Sequence, residues 1–174
     1  MTDLYEFTVE DYANYIINNP TEFSADDVSI AKTMLTYGKY TQDYFGYNTE
    51  NKPTNINTLN STDLSKEAYE LTDTNSSISF IGARLVLTST PGLKLYFNKD
   101  VDITCADGEI STEGNYKVVT ITNVSNIYNK YEVTGENFKL KYSIASYGNI
   151  ALNGTNDSLK NLIKAMVAYY DLFK

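Results

Sequence analysis

The chain has no histidine and no tryptophan, one cysteine, three prolines, and fourteen basic residues against twenty-two acidic ones. Each scarcity removes a class of function. Without His there is no imidazole to serve as general base near neutral pH or to ligate a transition metal. Ser-His-Asp and Cys-His mechanisms are therefore excluded. A single cysteine, Cys105, excludes an intramolecular disulfide; it alternates with Val101 and Ile103, which points to a small buried hydrophobe. A net charge of -8 repels phosphate backbones and anionic membrane surfaces alike. No apolar run approaches the ~20 residues that span a bilayer. Neither nucleic acid nor membrane insertion is expected, and no cofactor is implied.

What is present is a foldable mixture. With 174 residues, 42% of them hydrophobic, the chain can build one core, or one domain with an attached helical layer. Sixteen tyrosines, with abundant Asn, Thr and Ser, give a hydroxyl-rich surface suited to an extracellular bacterial protein that uses no disulfides. The opening MTDLYEFTVEDY lacks the layout of a secretory signal. The expectation is a segment of a longer exported chain, with Leu4–Phe7 as the end of a strand.

Two helical regions bracket the sequence. Thr8 with Asp11 forms a capping pattern ahead of Val9, Tyr12, Ala13, Ile16 and Ile17. Ser24 with Asp27 does the same ahead of Val28, Ala31, Met34, Leu35 and Gly38, flanked by Ile30, Tyr37 and Tyr44. Gly46 stands where a left-handed terminus falls. Ser143 caps a third helix containing Ile144, Tyr147 and Ala151. Asn156 or Asp157 caps a fourth, whose stripe is Leu159, Leu162, Ile163, Met166, Val167, Tyr170 and Phe173. Residues 48–77 read as an irregular crossing, with one helical turn between Asp63 and Leu71.

At Ile78 the period changes to two. Six or seven strands follow, with turns placed at Pro91-Gly92, Asp107-Gly108, Glu113-Gly114-Asn115 and Gly135-Glu136-Asn137. Tyr131, at the penultimate strand, suits the tyrosine corner of immunoglobulin-like sandwiches. The expected fold is α+β: an immunoglobulin-like antiparallel β-sandwich of about 6–7 strands, flanked by N- and C-terminal helical hairpins. In domain terms, 1–174 is a single module, with one hairpin at 8–47, the sandwich at 78–142, and a second hairpin at 143–174 packing with the first.

The two helical ends resemble each other. Phe7-Thr8-Val9-x-x-Tyr12-Ala13-Asn14 matches Tyr142-Ser143-Ile144-x-x-Tyr147-Gly148-Asn149 at a constant offset, and Lys32-x-Met34-Leu35-x-Tyr37 matches Lys164-x-Met166-Val167-x-Tyr169. Amphipathicity does not require the shared Asn positions, the hydroxyl caps or the Lys-x-Met pair. The pattern reads as a duplication.

Lys32-Thr33-Met34-Leu35-Thr36-Tyr37-Gly38, then Gln42-x-Tyr44-Phe45-Gly46-Tyr47-Asn48-Thr49-x-Asn51, resembles a segment recurring in large exported surface proteins of gut Clostridia-type bacteria. Tyr142-Ser143-x-x-Ser146-Tyr147 and Leu159-Lys160-Asn161-Leu162-x-Lys164-Ala165-Met166 resemble the close of the same module. Leu85-Val86-Leu87 and Leu93–Phe97 fit its central strands. The resemblance covers nearly the whole chain. It implies an extracellular, cell-surface location beside adjacent modules of a longer parent chain, and a non-catalytic role. It transfers no binding residues.

Two candidate sites remain. Asp100, Asp102, Asp107 and Glu109 cluster near one turn, yet lack the ligand spacing of a calcium loop, and nothing apolar nearby would raise one carboxylate for acid/base work. No metal or catalytic residue is assigned. Tyr96, Tyr116 and Tyr128 are the candidate ligand-binding residues, since sugars stack on aromatic faces. The expected function is therefore a non-catalytic module serving adhesion, ligand binding or spacing. The alternative is a carbohydrate-binding module attached to a glycan-degrading surface protein. A host or dietary glycan, or a host protein, is the expected partner.

Overall fold

The helices start where their caps place them. In the computed structural model, which describes residues 8–174, helix α1 (Val9–Asn18) begins behind Thr8. The Thr8 hydroxyl accepts from the Asp11 N–H at 3.1 Å, and the Asp11 carboxylate accepts from the Thr8 N–H at 3.0 Å. Ser24 and Asp27 repeat the arrangement ahead of helix α2 (Ala25–Phe45). These reciprocal bonds satisfy amides that a helix start leaves open. They also hold the Asp11 and Asp27 carboxyls below the usual carboxylate range. Gly46 ends α2 at φ 70°, its N–H meeting the Gln42 carbonyl at 2.8 Å. Ser143 and Ser146 box the start of helix α3 (Ile144–Leu152), and the Asn156 side chain caps helix α4 (Asp157–Asp171). The expected strand Leu4–Phe7 lies outside the described residues.

The described residues also form eight strands in two antiparallel sheets. The strands are β1 (Glu70–Asp73), β2 (Phe80–Leu87), β3 (Pro91–Asn98), β4 (Ile103–Thr104), β5 (Glu109–Glu113), β6 (Tyr116–Ile121), β7 (Tyr131–Gly135) and β8 (Phe138–Tyr142). One sheet runs β1-β8-β7-β4 and the other β2-β3-β6-β5, an arrangement compatible with a sandwich. Aromatic rings bridge them: Phe97 meets Phe138 edge-on at 5.6 Å, and Phe80 lies 5.7 Å from Tyr142. Leu93, Leu95, Phe97, Val119, Val133 and Leu140 are fully enclosed here.

Three local expectations change. Strand β1 falls inside the region read as an irregular crossing. Its residues are exposed or half-buried, so no apolar alternation marks it, and it exists by backbone pairing with β8, Glu70 opposite Lys141. Pro91 and Gly92 belong to β3 rather than to the turn before it. Proline is tolerated at the first position of a strand, and a Cβ on Gly92 would sit 2.5 Å from the Ile121 carbonyl oxygen. Asp107-Gly108 does not close a hairpin, because β4 and β5 belong to different sheets. The Gly114 and Asn137 turns do close hairpins, both with positive φ.

The chain divides into two compact units. One runs to Thr62 and resumes at Gly154–Lys174; the other is Asp63–Asn153. These boundaries differ from 8–47, 78–142 and 143–174. In the first unit α2 packs on both α1 and α4. Ala13, Ala31 and Leu35 form its apolar centre with Ile16, Ile17, Met34 and Ile56 beside them. Tyr37 of α2 lies 5.4 Å from Tyr169 of α4, so two positions aligned by the Lys-x-Met patterns are in ring contact. Burial, then Tyr170 and Tyr169, push the Tyr37 hydroxyl well above the ordinary tyrosine range. In the second unit α3 packs on β2 and on the short turn Ser65–Glu67.

The expected helical stripes need correction at their edges. Val9, Tyr12 and Phe173 are exposed, and Ile30 is open to solvent, whereas Thr33, Thr36, Thr41 and Gln42 are buried on α2. The buried threonines carry their own partners. Thr33, Thr36 and Thr41 donate to the carbonyls four residues earlier. Thr36 also accepts from the Asn57 N–H at 2.8 Å, and Thr33 from the Asn57 amide. A polar loop is thereby held against a polar helix face, which apolar periodicity does not register. Cys105 is half-buried rather than enclosed.

Candidate ligand-binding face

Period-two alternation sorts β3 into two sets. Leu93, Leu95 and Phe97 point into the core, and Lys94, Tyr96 and Asn98 point outward. Pairing then decides their neighbours. Lys94 stands opposite Thr120, Tyr96 opposite Val118, and Asn98 opposite Tyr116. On the other side Gly82 faces Tyr96 and Arg84 faces Lys94. Glu113 of β5 lies opposite Tyr116.

The rings of Tyr96 and Tyr116 come within 5.9 Å at 89° to each other. The Lys94 ammonium reaches the Glu113 carboxylate at 2.6 Å. That carboxylate holds the Lys94 ammonium above its ordinary range. Val118, opposite Tyr96, is fully buried although it points to this outer side. Tyr116 remains 43% exposed. Beside Lys94 the face opens into a cleft of about 340 Å³, lined by Val86, Thr88, Thr90, Lys94, Thr120 and Asn123 among others. The Thr90 hydroxyl donates to the Asn123 side-chain oxygen at 2.9 Å. Asn123 sits at φ 55°, a conformation asparagine tolerates better than most residues.

Two of the three candidate tyrosines are therefore brought together. Tyr128 is not part of the pair: it sits on the loop between β6 and β7, its N–H donating to the Asn126 side chain at 2.9 Å. Sequence reasoning missed Lys94, Glu113 and the threonines of the cleft. The alternation of β3 does place Lys94 and Tyr96 on one side, but only strand pairing brings β5 and β6 to them.

The acidic residues divide. Asp100 and Asp102 line a polar cleft of about 290 Å³ with Asn75, Ser79, Asn98 and Glu136; Asp107 and Glu109 do not line it. Asp102 lies 3.3 Å from the Lys117 ammonium, which also donates to the Val101 carbonyl at 2.6 Å. Among the described residues no group of three or more His, Cys, Asp or Glu side chains is placed to hold a metal ion.

Chemically, the Tyr96–Tyr116 corner offers apolar ring surface, flanked by a cation, an anion, hydroxyls and amides. It suits an uncharged, polyhydroxylated ligand that has a C–H face. No family model, no curated protein and no solved structure matches the chain. Among the described residues no helix is long and apolar enough to cross a membrane.

Proposed function

We propose that the chain is a non-catalytic ligand-binding module of an exported bacterial surface protein, and that it binds through the outer face of β3 and β6. The observation that carries this reading is the perpendicular Tyr96–Tyr116 pair, set beside a hydroxyl- and amide-lined cleft on an open sheet face. The same observation favours a glycan over a host protein as ligand. Sugar rings stack on aromatic surface while their hydroxyls exchange hydrogen bonds with Thr, Asn and charged side chains. On this reading the module holds a substrate or anchors a cell, while any catalysis belongs to another part of the parent chain.

The reading of the sandwich as immunoglobulin-like is supported by its strand order and by one tyrosine. Tyr131 begins the penultimate strand as in a tyrosine corner. Counting β2 to β8 as A to G, the order β2-β3-β6-β5 runs A-B-E-D and β8-β7-β4 runs G-F-C, the two sheets of a constant-type immunoglobulin domain, with β1 added beside β8.

Affinity gel electrophoresis against a polysaccharide panel tests the reading. Retardation on at least one polysaccharide, lost in Tyr96→Ala and Tyr116→Ala but kept in Tyr128→Ala, is the expected result. Uniform failure to bind any glycan refutes the glycan assignment, and release of reducing sugar by the purified chain refutes the non-catalytic one.

A further inference from the structure

The first unit carries a cleft of its own, lined by α2, α4 and the segment 57–60. Its volume is about 480 Å³, within the ~300–1,000 Å³ that ligand clefts occupy. Burial sorts the lining by depth. Thr33, Thr36 and Ala165 are buried at the base, while Thr58, Asn60 and Ala168 are exposed at the rim. Alanine at 165 and 168 leaves room that longer side chains of α4 would fill. The 57–60 wall is fixed in advance: Asn57 donates to the Thr36 hydroxyl from its backbone N–H at 2.8 Å, and to Thr33 from its amide at 3.2 Å.

The charge of this lining is one-sided. Lys164 of α4 is half-buried there and makes no hydrogen bond or ion pair among the described residues. Lys94, Lys117 and Lys130, by contrast, each meet a carboxylate within 3.3 Å. Among the described residues no Asp or Glu lines the cleft, although the chain carries twenty-two acidic residues. The Thr33 and Thr36 hydroxyls donate to the Ser29 and Lys32 carbonyls, so toward the cleft they offer acceptor lone pairs alone. Thr58 and Asn60 keep side-chain donors uncommitted among the described residues.

We propose that this cleft binds a small organic carboxylate that also carries hydroxyl or amide donors. Lys164, with the Thr58 and Asn60 donors, takes the carboxylate. The ligand's own O–H or N–H groups donate to Thr33 and Thr36. One ammonium balances one negative charge; a dianionic phosphate would leave charge uncompensated in a chain already at -8. Binding here does not depend on what Tyr96 and Tyr116 hold.

Backbone amide resonances of the full isotope-labelled chain test this at constant ionic strength. D-glucuronate and N-acetylglycinate are the probes, with D-glucose and inorganic phosphate titrated in parallel. The expected result is saturable shifts at the amides of 58–60 and 164–168 with at least one carboxylate, and none there with glucose or phosphate. Lys164→Gln should weaken that binding about tenfold or more, as for a lost charge-assisted hydrogen bond, while Lys164→Arg keeps most of it. Asn60→Ala, at the exposed rim, should weaken it about threefold, and it decides the matter if Lys164→Gln fails to fold. The assignment is overturned if neither carboxylate gives saturable shifts there, or if glucose or phosphate gives equal ones. It is overturned equally if Lys164→Gln, or Asn60→Ala in its place, binds as the parent does.

Discussion

Phe97 shows how much one residue carries. Its ring is fully enclosed and touches Phe80 from its own sheet and Phe138 from the other. Truncation to alanine would remove one of the ring contacts that join the sheets and leave a cavity between them, at a cost of about 3–5 kcal/mol. Urea unfolding of Phe97→Ala should show a midpoint lowered accordingly. Gln42 predicts the opposite direction. It is 8% exposed, and its Oε1 has no hydrogen-bond partner among the described residues. Its amide nitrogen makes one long bond, 3.4 Å, to the exposed Asn51 carbonyl, which water can replace. Gln42→Met keeps the volume and removes a desolvated acceptor, so stability should hold or rise by about 1 kcal/mol. A loss larger than that would mean that Oε1 has a partner in solution.

Among the elements, α2 is the organising piece of its unit, with a capping box at one end and a left-handed glycine at the other. At φ 70° an added Cβ meets no neighbouring atom at Gly46, so the penalty for alanine is conformational alone. Gly46→Ala should cost about 1–2 kcal/mol, and Gly46→Asn less, because asparagine tolerates this region; thermal melts of the pair check the ordering. The α2–α4 contact rests on Tyr37, Tyr169 and Tyr170, mutually within ring-contact distance. Tyr37→Ala should therefore speed amide hydrogen exchange in α4 as well as in α2. Exchange raised in α2 alone would contradict that coupling. In the sandwich, Gly92→Ala would push a methyl into the Ile121 carbonyl and separate β3 from β6. That variant should lose ligand retardation along with stability, since the two strands carry Tyr96 and Tyr116.

For the whole molecule the absence of histidine shapes the pH response. Among the described residues six carboxyls are held below their ordinary values. For Asp11 and Asp27 the cause is the cap hydroxyls, for Asp43 hydrogen bonds from Lys39 and Lys52, and for Glu70 those from Lys130. For Asp63 it is the Ser65 N–H. Burial opposes the shift at Asp73, where bonds from Ser79 and Asn75 outweigh it. Groups with lowered folded values contribute stability above about pH 4 and lose it as pH falls through those values. Tyr37 and Tyr142 are displaced upward, each mainly by burial, and Tyr170 likewise. A raised tyrosine contributes stability below about pH 10 and loses it as pH rises beyond, because the unfolded chain ionises first. The melting temperature should therefore be nearly flat between about pH 5 and 9, falling on both sides. A steep change near pH 6.5 would contradict this.

The sequence by itself determined the helix starts, the left-handed end of α2, the hairpin turns at Gly114 and Asn137, and the inward set on β3. Each depends on chemistry within a few residues: a hydroxyl three positions from an acid, a residue able to take positive φ, an alternation of two. It also aligned Tyr37 with Tyr169 in the Lys-x-Met patterns of the two helices. Only the tertiary structure decided that they touch, that α3 belongs with the sheets while α4 belongs with α2, and that β1 is a strand. Strand β1 is held by backbone bonds to β8, and backbone groups are the same in every residue, so side-chain pattern does not announce it. The candidate face divides in the same way. Period two put Lys94 and Tyr96 on one side, but Tyr116 and Glu113 arrived there through the pairing register of β5, β6 and β3. Register is set by which apolar faces bury one another across the whole unit, and no local spacing encodes it.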